Sequence, residues 1–266
     1  MVELFFTLTY ALFLPLRHTG ANRVVIYYHG VLKEDAKQFE KQMTYLSKWC
    51  NVVTPSEIIS ASVQEEKTQV AITFDDAFVS ALTYAVPILK RLNLAAGICV
   101  PAGDLGQAPR WVISSGCPDA DEIVMSREQV AELSKDGFEI LSHTNSHPIL
   151  TNLDYTQLQN ELVESKKKIA QIVGHEIQGI SYPYGAYNTE VCDAAKTEGY
   201  QYGFTIEPRM LNGKTDKMQI GRFLVSPRDR LFIFQLKLKG AFEFTKYLRA
   251  AKKYLMTKLR LREYTH

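Results

Sequence analysis

The sequence predicts an α/β fold built on parallel β-strands. Short apolar segments rich in β-branched residues alternate with longer segments of helical periodicity, as in parallel sheets and barrels. Polar residues follow several of these strands directly, at the edge where parallel α/β proteins carry their active sites. A chain of 266 residues suits a single α/β barrel or a doubly wound sheet.

The predicted elements follow one another in regular order. Strands are expected at 24–28, 70–74, 96–100, 138–142 and 179–182, and around Phe204 and Phe223. Helices are expected at 39–49, 84–92, 126–137, 155–173 and 189–198. Ser126 and Gln129 have the spacing of a capping box, and Gly137, Gly174 and Gly199 are helix stops. Residues 101–125, rich in Gly, Pro and Asp, predict a long functional loop.

The overall composition is that of a globular protein with a sizeable core. Apolar residues make up 46% of the chain and charged residues 23%. The net charge is only +2, which gives no indication of nucleic-acid binding. The four cysteines are scattered and contain no Cys-x-x-Cys pair, so neither a zinc knuckle nor a disulfide framework is predicted.

The two ends of the chain differ from its middle. The expected units are an apolar N-terminal segment over 1–22, the main domain over 23–236 and a basic, helical tail over 237–266. The apolar run at 4–16 is shorter than the roughly 20 residues of a membrane span, and Glu3 precedes it where a signal peptide has a basic start. A cleaved signal, a membrane-resting helix and a core helix all remain open, and the two helices are favoured over the signal.

The tail carries nine Lys or Arg against Glu243 and Glu263. Such a helix can lie on an anionic membrane or simply present its charges to water. The apolar segment and the tail would together allow peripheral membrane contact. A location at the membrane or in the cell envelope is therefore favoured over the cytoplasm.

Asp75 and Asp76 are adjacent carboxylates at the end of an apolar strand. Two such groups repel each other unless a cation or a shared proton relieves them. Successive strand residues point to opposite sides, so one carboxylate could ligate a metal while the other acts as a base. An Asp-Asp turn that caps the next helix is the alternative.

His143 and His147 are four residues apart and follow another strand. On one helical turn they would face the same way and could share a metal ion. Two imidazoles and one carboxylate leave the open positions that a catalytic metal needs. A structural role is commoner for a single histidine, but the pair combined with the aspartates favours a metal site.

The segments around these residues resemble the polysaccharide deacetylases, carbohydrate esterase family 4. Thr-Phe-Asp-Asp at 73–76 and His-Thr-Asn-Ser-His-Pro at 143–148 are similar to the first two family motifs. Tyr-Pro-Tyr-Gly-Ala-Tyr-Asn at 182–188 resembles the third motif in its Tyr-Pro form. The resemblance extends over about 24–225. It implies a distorted (β/α)7-type barrel, a divalent metal, usually Zn²⁺, and hydrolysis of N-acetyl groups on glucosamine-type sugars.

The resemblance also implies a role for each matching residue. Asp75 would be the general base. Tyr184 would supply a backbone N–H near the oxyanion, with Pro183 and Tyr182 beside it in the substrate region. The implied metal ligands are Asp76, His143 and His147.

The sequence departs from many relatives in two places. The third motif lacks the arginine that orients the catalytic aspartate, and Arg222 on a late strand is the candidate replacement. No histidine lies between His175 and the last residue to act as the late general acid. His29 is the candidate for that role, because barrel closure brings the first and last strands together. Some biofilm-polysaccharide deacetylases resemble this arrangement, with an early Tyr-His.

The predicted partner is an N-acetylated glycan, and the predicted activity is its deacetylation. Two alternatives to this prediction remain. A non-catalytic glycan-binding protein on the same fold would explain the missing arginine and histidine. The intact Asp-Asp and His-x-x-x-His sets speak against it, because sugar binding alone needs no metal triad. A deacetylase acting on a lipid-linked sugar would explain the apolar N-terminus and the basic tail.

Overall fold

The computed structural model describes residues 23–60, 67–111 and 119–243. The apolar run at 4–16, the tail cations from Lys246 onward and Cys117 lie outside the described residues. Across the three described ranges, no helix combines the length and the apolar character needed to cross a bilayer.

Parallel strands form one sheet in the order β7-β6-β5-β4-β3-β1-β8, and β2 pairs with the first half of β3. The strands are β1 (Arg23–Tyr28), β2 (Asn51–Val53), β3 (Gln69–Phe74), β4 (Gly97–Val100), β5 (Glu139–Ser142), β6 (Gly179–Ser181), β7 (Tyr202–Phe204) and β8 (Phe223–Leu224). All of these pairings are parallel, as the alternation of strands and helices predicts.

The two ends of the sheet meet and close it into a distorted barrel. On one side, β8 pairs with β1 through Ile26 and Phe223. On the other side, Ile220 forms a parallel bridge with Phe204 at the end of β7. The closure consists of short pairings on both sides, which is why the barrel is irregular. Among the described residues, seven strands form the closed sheet and β2 pairs with β3 beside it. The predicted barrel is therefore confirmed, and the doubly wound sheet is excluded.

Helices follow most of the strands and cover the outside of the barrel. They are α1 (Ala36–Trp49), α2 (Pro55–Ser60), α3 (Val86–Arg91), α4 (Arg127–Lys135), α5 (Tyr155–Val173), α6 (Thr189–Thr197) and α7 (Leu231–Leu238). A π-helical turn (Ala81–Ala85) leads into α3. The capping box of Ser126 and Gln129 at the start of α4 is confirmed, and α5 ends at Gly174 with a φ of 80°.

Three short elements, β2, α2 and α7, were not predicted. The first two have only three and six residues, too few to show a period. In α7 six of the eight residues are apolar, so no polar face marks it as a helix. Its aromatic residue Phe234 packs against Tyr45 of α1. The expected boundary at residue 236 therefore falls inside a helix that packs on the barrel.

The core has two layers, because successive strand residues face opposite sides of the sheet. A large layer lies between the strands and the helices and includes Ile26, Phe39 and Ile72. A smaller layer fills the barrel interior and includes Val25 and Cys99. Toward the carboxyl ends of the strands this interior becomes polar, and the candidate site begins there.

Candidate active site

The carboxyl edge of the barrel gathers polar side chains from several strand ends. His29 follows β1, Asp75 and Asp76 follow β3, and His143 follows β5. Backbone hydrogen bonds continue the sheet past these ends, since the Asp75 N–H donates to the Tyr28 carbonyl at 2.9 Å. The candidate residues are therefore held by the barrel itself.

Asp76, His143 and His147 form a buried cluster whose ligand atoms all lie within 4.8 Å of one another. The Nε2 atoms of His143 and His147 lie 3.4 and 3.3 Å from Asp76 Oδ1. The other ring nitrogen of His143, Nδ1, lies 2.7 Å from the Ser181 carbonyl oxygen, which orients the imidazole.

The donor set of this cluster fits a metal ion. Asp76 Oδ1 is buried and has no hydrogen-bond partner, although two imidazole nitrogens face it. A buried carboxylate oxygen without a donor is costly unless a cation balances it. Burial, with a smaller contribution from His143, lowers the pKa of His147 to about 3, so this ring is in the neutral form that binds metal.

The turn that brings the two histidines together is not helical. Thr144 and His147 have φ values of 67° and 57°, in the left-handed region. The expectation of one helical turn is therefore wrong, because these residues are not helical, yet both imidazoles still face Asp76. Asp76 and Tyr184 are also left-handed, with φ values of 66° and 57°. Such strained residues cluster at active sites and ligand clamps.

Asp75 is not one of the three clustered residues and is held by Arg222. The Nη1 and Nη2 atoms of Arg222 donate to the two carboxylate oxygens of Asp75, each at 2.7 Å. The Ser181 hydroxyl lies between them, donating to Asp75 Oδ1 at 3.2 Å and accepting from Arg222 at 2.8 Å. Arg222 thus contacts the Asp75 carboxylate directly, although no arginine stands in the third motif.

Arg222 is fully buried, and the barrel supplies the rest of its contacts. It donates to the Thr205 carbonyl and to the Thr73 hydroxyl, each at 3.0 Å, and it stacks on Tyr27 at 4.4 Å. Burial alone would raise the pKa of the Asp75 carboxyl. The nearby Arg222 and His143 reverse this effect and hold that pKa well below its usual range. Asp75 is therefore a carboxylate at neutral pH.

His29 lies at the mouth of the same site. Its Nε2 atom is 4.0 Å from Asp76 Oδ2, and its side chain is 40% exposed. Its ring contacts Tyr27 edge-on, with centroids 5.7 Å apart. The cluster of metal-ligand atoms among the described residues does not include His29. This histidine is thus close to the cluster and open to solvent.

The residues of the third motif differ in how close they lie to the site. Tyr184 is 50% exposed and contacts His147 edge-on, with centroids 4.8 Å apart. Pro183 is buried below it. The Tyr182 side chain lies in the core, where its hydroxyl donates to the Cys192 sulfur at 3.9 Å. Of the predicted substrate residues, the structure therefore does not bring the Tyr182 ring to the site.

Trp111 is a site residue that the sequence analysis did not identify. Its ring stacks on His147, with centroids 4.2 Å apart and an angle of 26° between the planes. It lies in the long loop at 101–125 that was expected to be functional, and this expectation is the one signal that pointed to it. Trp111 and Tyr184 form two aromatic walls beside the cluster.

The chain matches known proteins over most of the described region. The profile of the family described as "Polysaccharide deacetylase" matches residues 62–203. The Bacillus subtilis protein YxkH, named for the same family, is 30% identical over 76% of this chain and 71% of its own length. A Staphylococcus aureus poly-beta-1,6-N-acetyl-D-glucosamine N-deacetylase is 26% identical over 71% of this chain and 66% of its own. About a third of that protein thus lies outside the match.

Solved structures share the fold. The Streptococcus pyogenes deacetylase PplD, determined in complex with acetate, has a TM-score of 0.70 at 20% identity, over 83% of this chain and 99% of its own. IcaB from Ammonifex degensii has a TM-score of 0.69 at 24% identity, over 84% of this chain and 97% of its own. At this level of identity the comparison establishes the barrel fold.

Proposed function

This chain belongs to the polysaccharide deacetylase family, whose members hydrolyse amide bonds, and we propose that it removes N-acetyl groups from amino-sugar glycans with the help of a divalent metal, Zn²⁺. One observation carries the proposal. A buried carboxylate and two imidazoles converge at 3.3–3.4 Å beside a second carboxylate that Arg222 holds in place.

The proposed metal ligands are Asp76, His143 and His147. Two nitrogen donors and one carboxylate form a set that Zn²⁺ accepts in catalytic sites, with open positions left for water and substrate. When bound there, the metal supplies a Lewis acid that polarises the acetamide carbonyl and lowers the pKa of the attacking water. A protein that only bound glycans would have no use for the unpaired oxygen of Asp76.

Asp75 is the proposed general base. It accepts a proton as the water oxygen attacks the acetamide carbon. The bidentate contact with Arg222 keeps the carboxylate charged and fixes its direction, but it also makes Asp75 a weak base. A weak base is sufficient here, because the proposed metal would lower the pKa of the attacking water.

His29 is the proposed general acid, and Tyr184 the proposed oxyanion donor. The tetrahedral intermediate breaks at its carbon–nitrogen bond, and the leaving amine takes a proton from the His29 imidazolium. The products are acetate and a free amino sugar. Histidine suits this role because its ordinary pKa is close to neutral pH. The backbone N–H of Tyr184 would stabilise the negative oxygen formed in between.

The proposed substrate class is a polymer or oligomer of N-acetylglucosamine. The Staphylococcus relative is named for a β-1,6-linked polymer of this sugar. Trp111 and the half-exposed Tyr184 support the class, because aromatic rings can pack against the apolar faces of sugar rings. The missing motif arginine and the missing late histidine favoured a non-catalytic glycan-binding protein. Arg222 and His29 are the candidates that would replace them.

Peripheral membrane contact through residues 1–22 and the tail remains a separate proposal, carried by the sequence alone. The alternative function, deacetylation of a lipid-linked sugar, is supported only by this proposed membrane contact.

Acetate release tests the proposed function directly. The purified chain is stripped with a chelator, reloaded with Zn²⁺ and incubated with β-1,6- and β-1,4-linked N-acetylglucosamine oligomers. We expect acetate from the reloaded protein on at least one oligomer, little from the stripped protein and none from His143→Ala. Equal release before and after stripping would overturn the metal assignment. Release from none of the oligomers would overturn the proposed activity.

A further inference from the structure

The turn that carries the two histidines needs support from outside itself. Thr144 and His147 both adopt left-handed φ values, which non-glycine residues disfavour. The two imidazoles face Asp76 together only when both residues keep this conformation. Within the turn, one contact fixes it directly, because the His147 N–H donates to the Thr144 hydroxyl at 3.1 Å. The rest of the support must come from a neighbouring element.

The Ala102 and Gly103 N–H groups donate to the carbonyls of the turn, and Glu161 on α5 supplies further support through one carboxylate. One of its oxygens, Oε2, accepts the backbone N–H groups of Asn145 and Ser146 at 2.9 and 2.8 Å. The other oxygen, Oε1, accepts the Ser146 hydroxyl at 2.6 Å. All three donors belong to the middle of the turn, between the two histidines. Hydrogen bonds to an ionised acceptor are stronger than neutral ones, so this carboxylate clamps the turn.

Two further residues on the same face of α5 contact the turn and the strand residue before it. Ser165, four residues after Glu161, hydrogen-bonds the Ser142 hydroxyl at 2.5 Å. Lys168, seven residues after Glu161, donates to Asn145 Oδ1 at 2.8 Å. Residues at these spacings lie along one stripe of a helix. Both ends of α5 are capped, by Asp154 and by Gly174, so the stripe has a fixed place against the turn.

We infer that Glu161 is a positioning residue that presets the turn at 143–147 for metal binding. This inference rests on the proposed function, because it takes Asp76, His143 and His147 to hold the metal. Glu161 contacts neither the three ligands nor the aromatic walls in any hydrogen bond or ion pair between described residues. It acts through the backbone between the ligands. Groups that orient metal-ligating side chains typically change metal affinity by 10–100-fold when they are removed, and we expect an effect of that order here.

Zn²⁺ affinity of the full chain, measured by competition with a chromophoric chelator, tests the inference. Glu161→Ala removes all three hydrogen bonds, and we expect its Zn²⁺ affinity to fall by about 10–100-fold. Glu161→Gln retains one acceptor oxygen of similar shape, and we expect an intermediate loss. Glu164→Ala, one turn away on the same helix, is the matched control. Among the described residues the Glu164 carboxylate has no hydrogen bond or ion pair, so the Zn²⁺ affinity of Glu164→Ala should stay within about twofold of wild type.

Deacetylation in excess Zn²⁺ separates positioning from general damage. A variant whose only defect is metal affinity recovers its kcat, and its KM for the glycan stays at the wild-type value, when Zn²⁺ is raised. If Glu161→Ala does not fold, Glu161→Gln carries the test. Folded Glu161 variants with wild-type Zn²⁺ affinity, or an equal loss in Glu164→Ala, would overturn the inference while leaving the proposed function intact. A wild-type chain that binds no Zn²⁺ would overturn the proposed function and the inference with it.

Discussion

Replacing Arg222 with methionine should destabilise the protein strongly. The change removes a fully buried guanidinium and leaves Asp75, itself buried, without its bidentate partner. Breaking a buried ion pair from one side costs about 3–5 kcal/mol, because the remaining charge is uncompensated. In a domain of this size 1 kcal/mol corresponds to roughly 2–4 °C in Tm, so a fall of roughly 6–20 °C is expected.

The measurement is urea unfolding at neutral pH, together with a double-mutant cycle. Asp75→Asn removes the buried negative charge, so Arg222→Met should cost less in that background than in the wild type. Arg222→Lys retains the charge without the bidentate geometry and should lie between the two. A loss below about 1 kcal/mol for Arg222→Met, as for a surface pair, would refute the reasoning, and so would additive effects of the two substitutions.

The same pair predicts how stability depends on pH. The pKa of Asp75 is lower in the folded protein than its ordinary value, because Arg222 and His143 outweigh the effect of burial. Its contribution is fully present above the unfolded pKa of about 3.9 and is lost as the pH falls toward the folded pKa. In Arg222→Met burial is less opposed, so the pKa of Asp75 should rise. The acidic limb of the activity profile should then move to higher pH.

Three further predictions concern the proposed catalytic groups and the tail. Asp75→Asn still offers an oxygen to Arg222, so the fold and Zn²⁺ binding should persist. Its kcat should fall on the order of 100-fold or more. Near-normal turnover would mean that another residue is the base. His29→Ala should retain Zn²⁺ and lose acetate release, with the basic limb of the pH profile changed most; an unchanged profile would exclude His29 as the acid. Truncation before Lys246 should weaken binding to anionic liposomes, by about 1 kcal/mol per cation near the surface, and unchanged binding would remove the tail from the membrane proposal.

The amino-acid sequence by itself determined the order of the main elements and the central residues of the candidate site. Helix α5 (Tyr155–Val173) was predicted at its observed bounds, because its apolar period and its Gly174 stop are local signals. Asp76, His143 and His147 were identified for a similar reason. They lie within five residues of the ends of apolar strands, and their motifs are short and contiguous. The barrel then brings their side chains together at one edge.

Only the tertiary structure decided which distant groups meet. Arg222 and Asp75 are 147 residues apart, and they touch because the barrel closes through Ile220 and Phe204. The Tyr182 ring lies in the core, whereas Trp111, in a loop, stacks on His147. Periodicity and caps depend on neighbours within a few residues, whereas these contacts depend on how strands and loops pack after closure. That packing leaves no local pattern in the sequence.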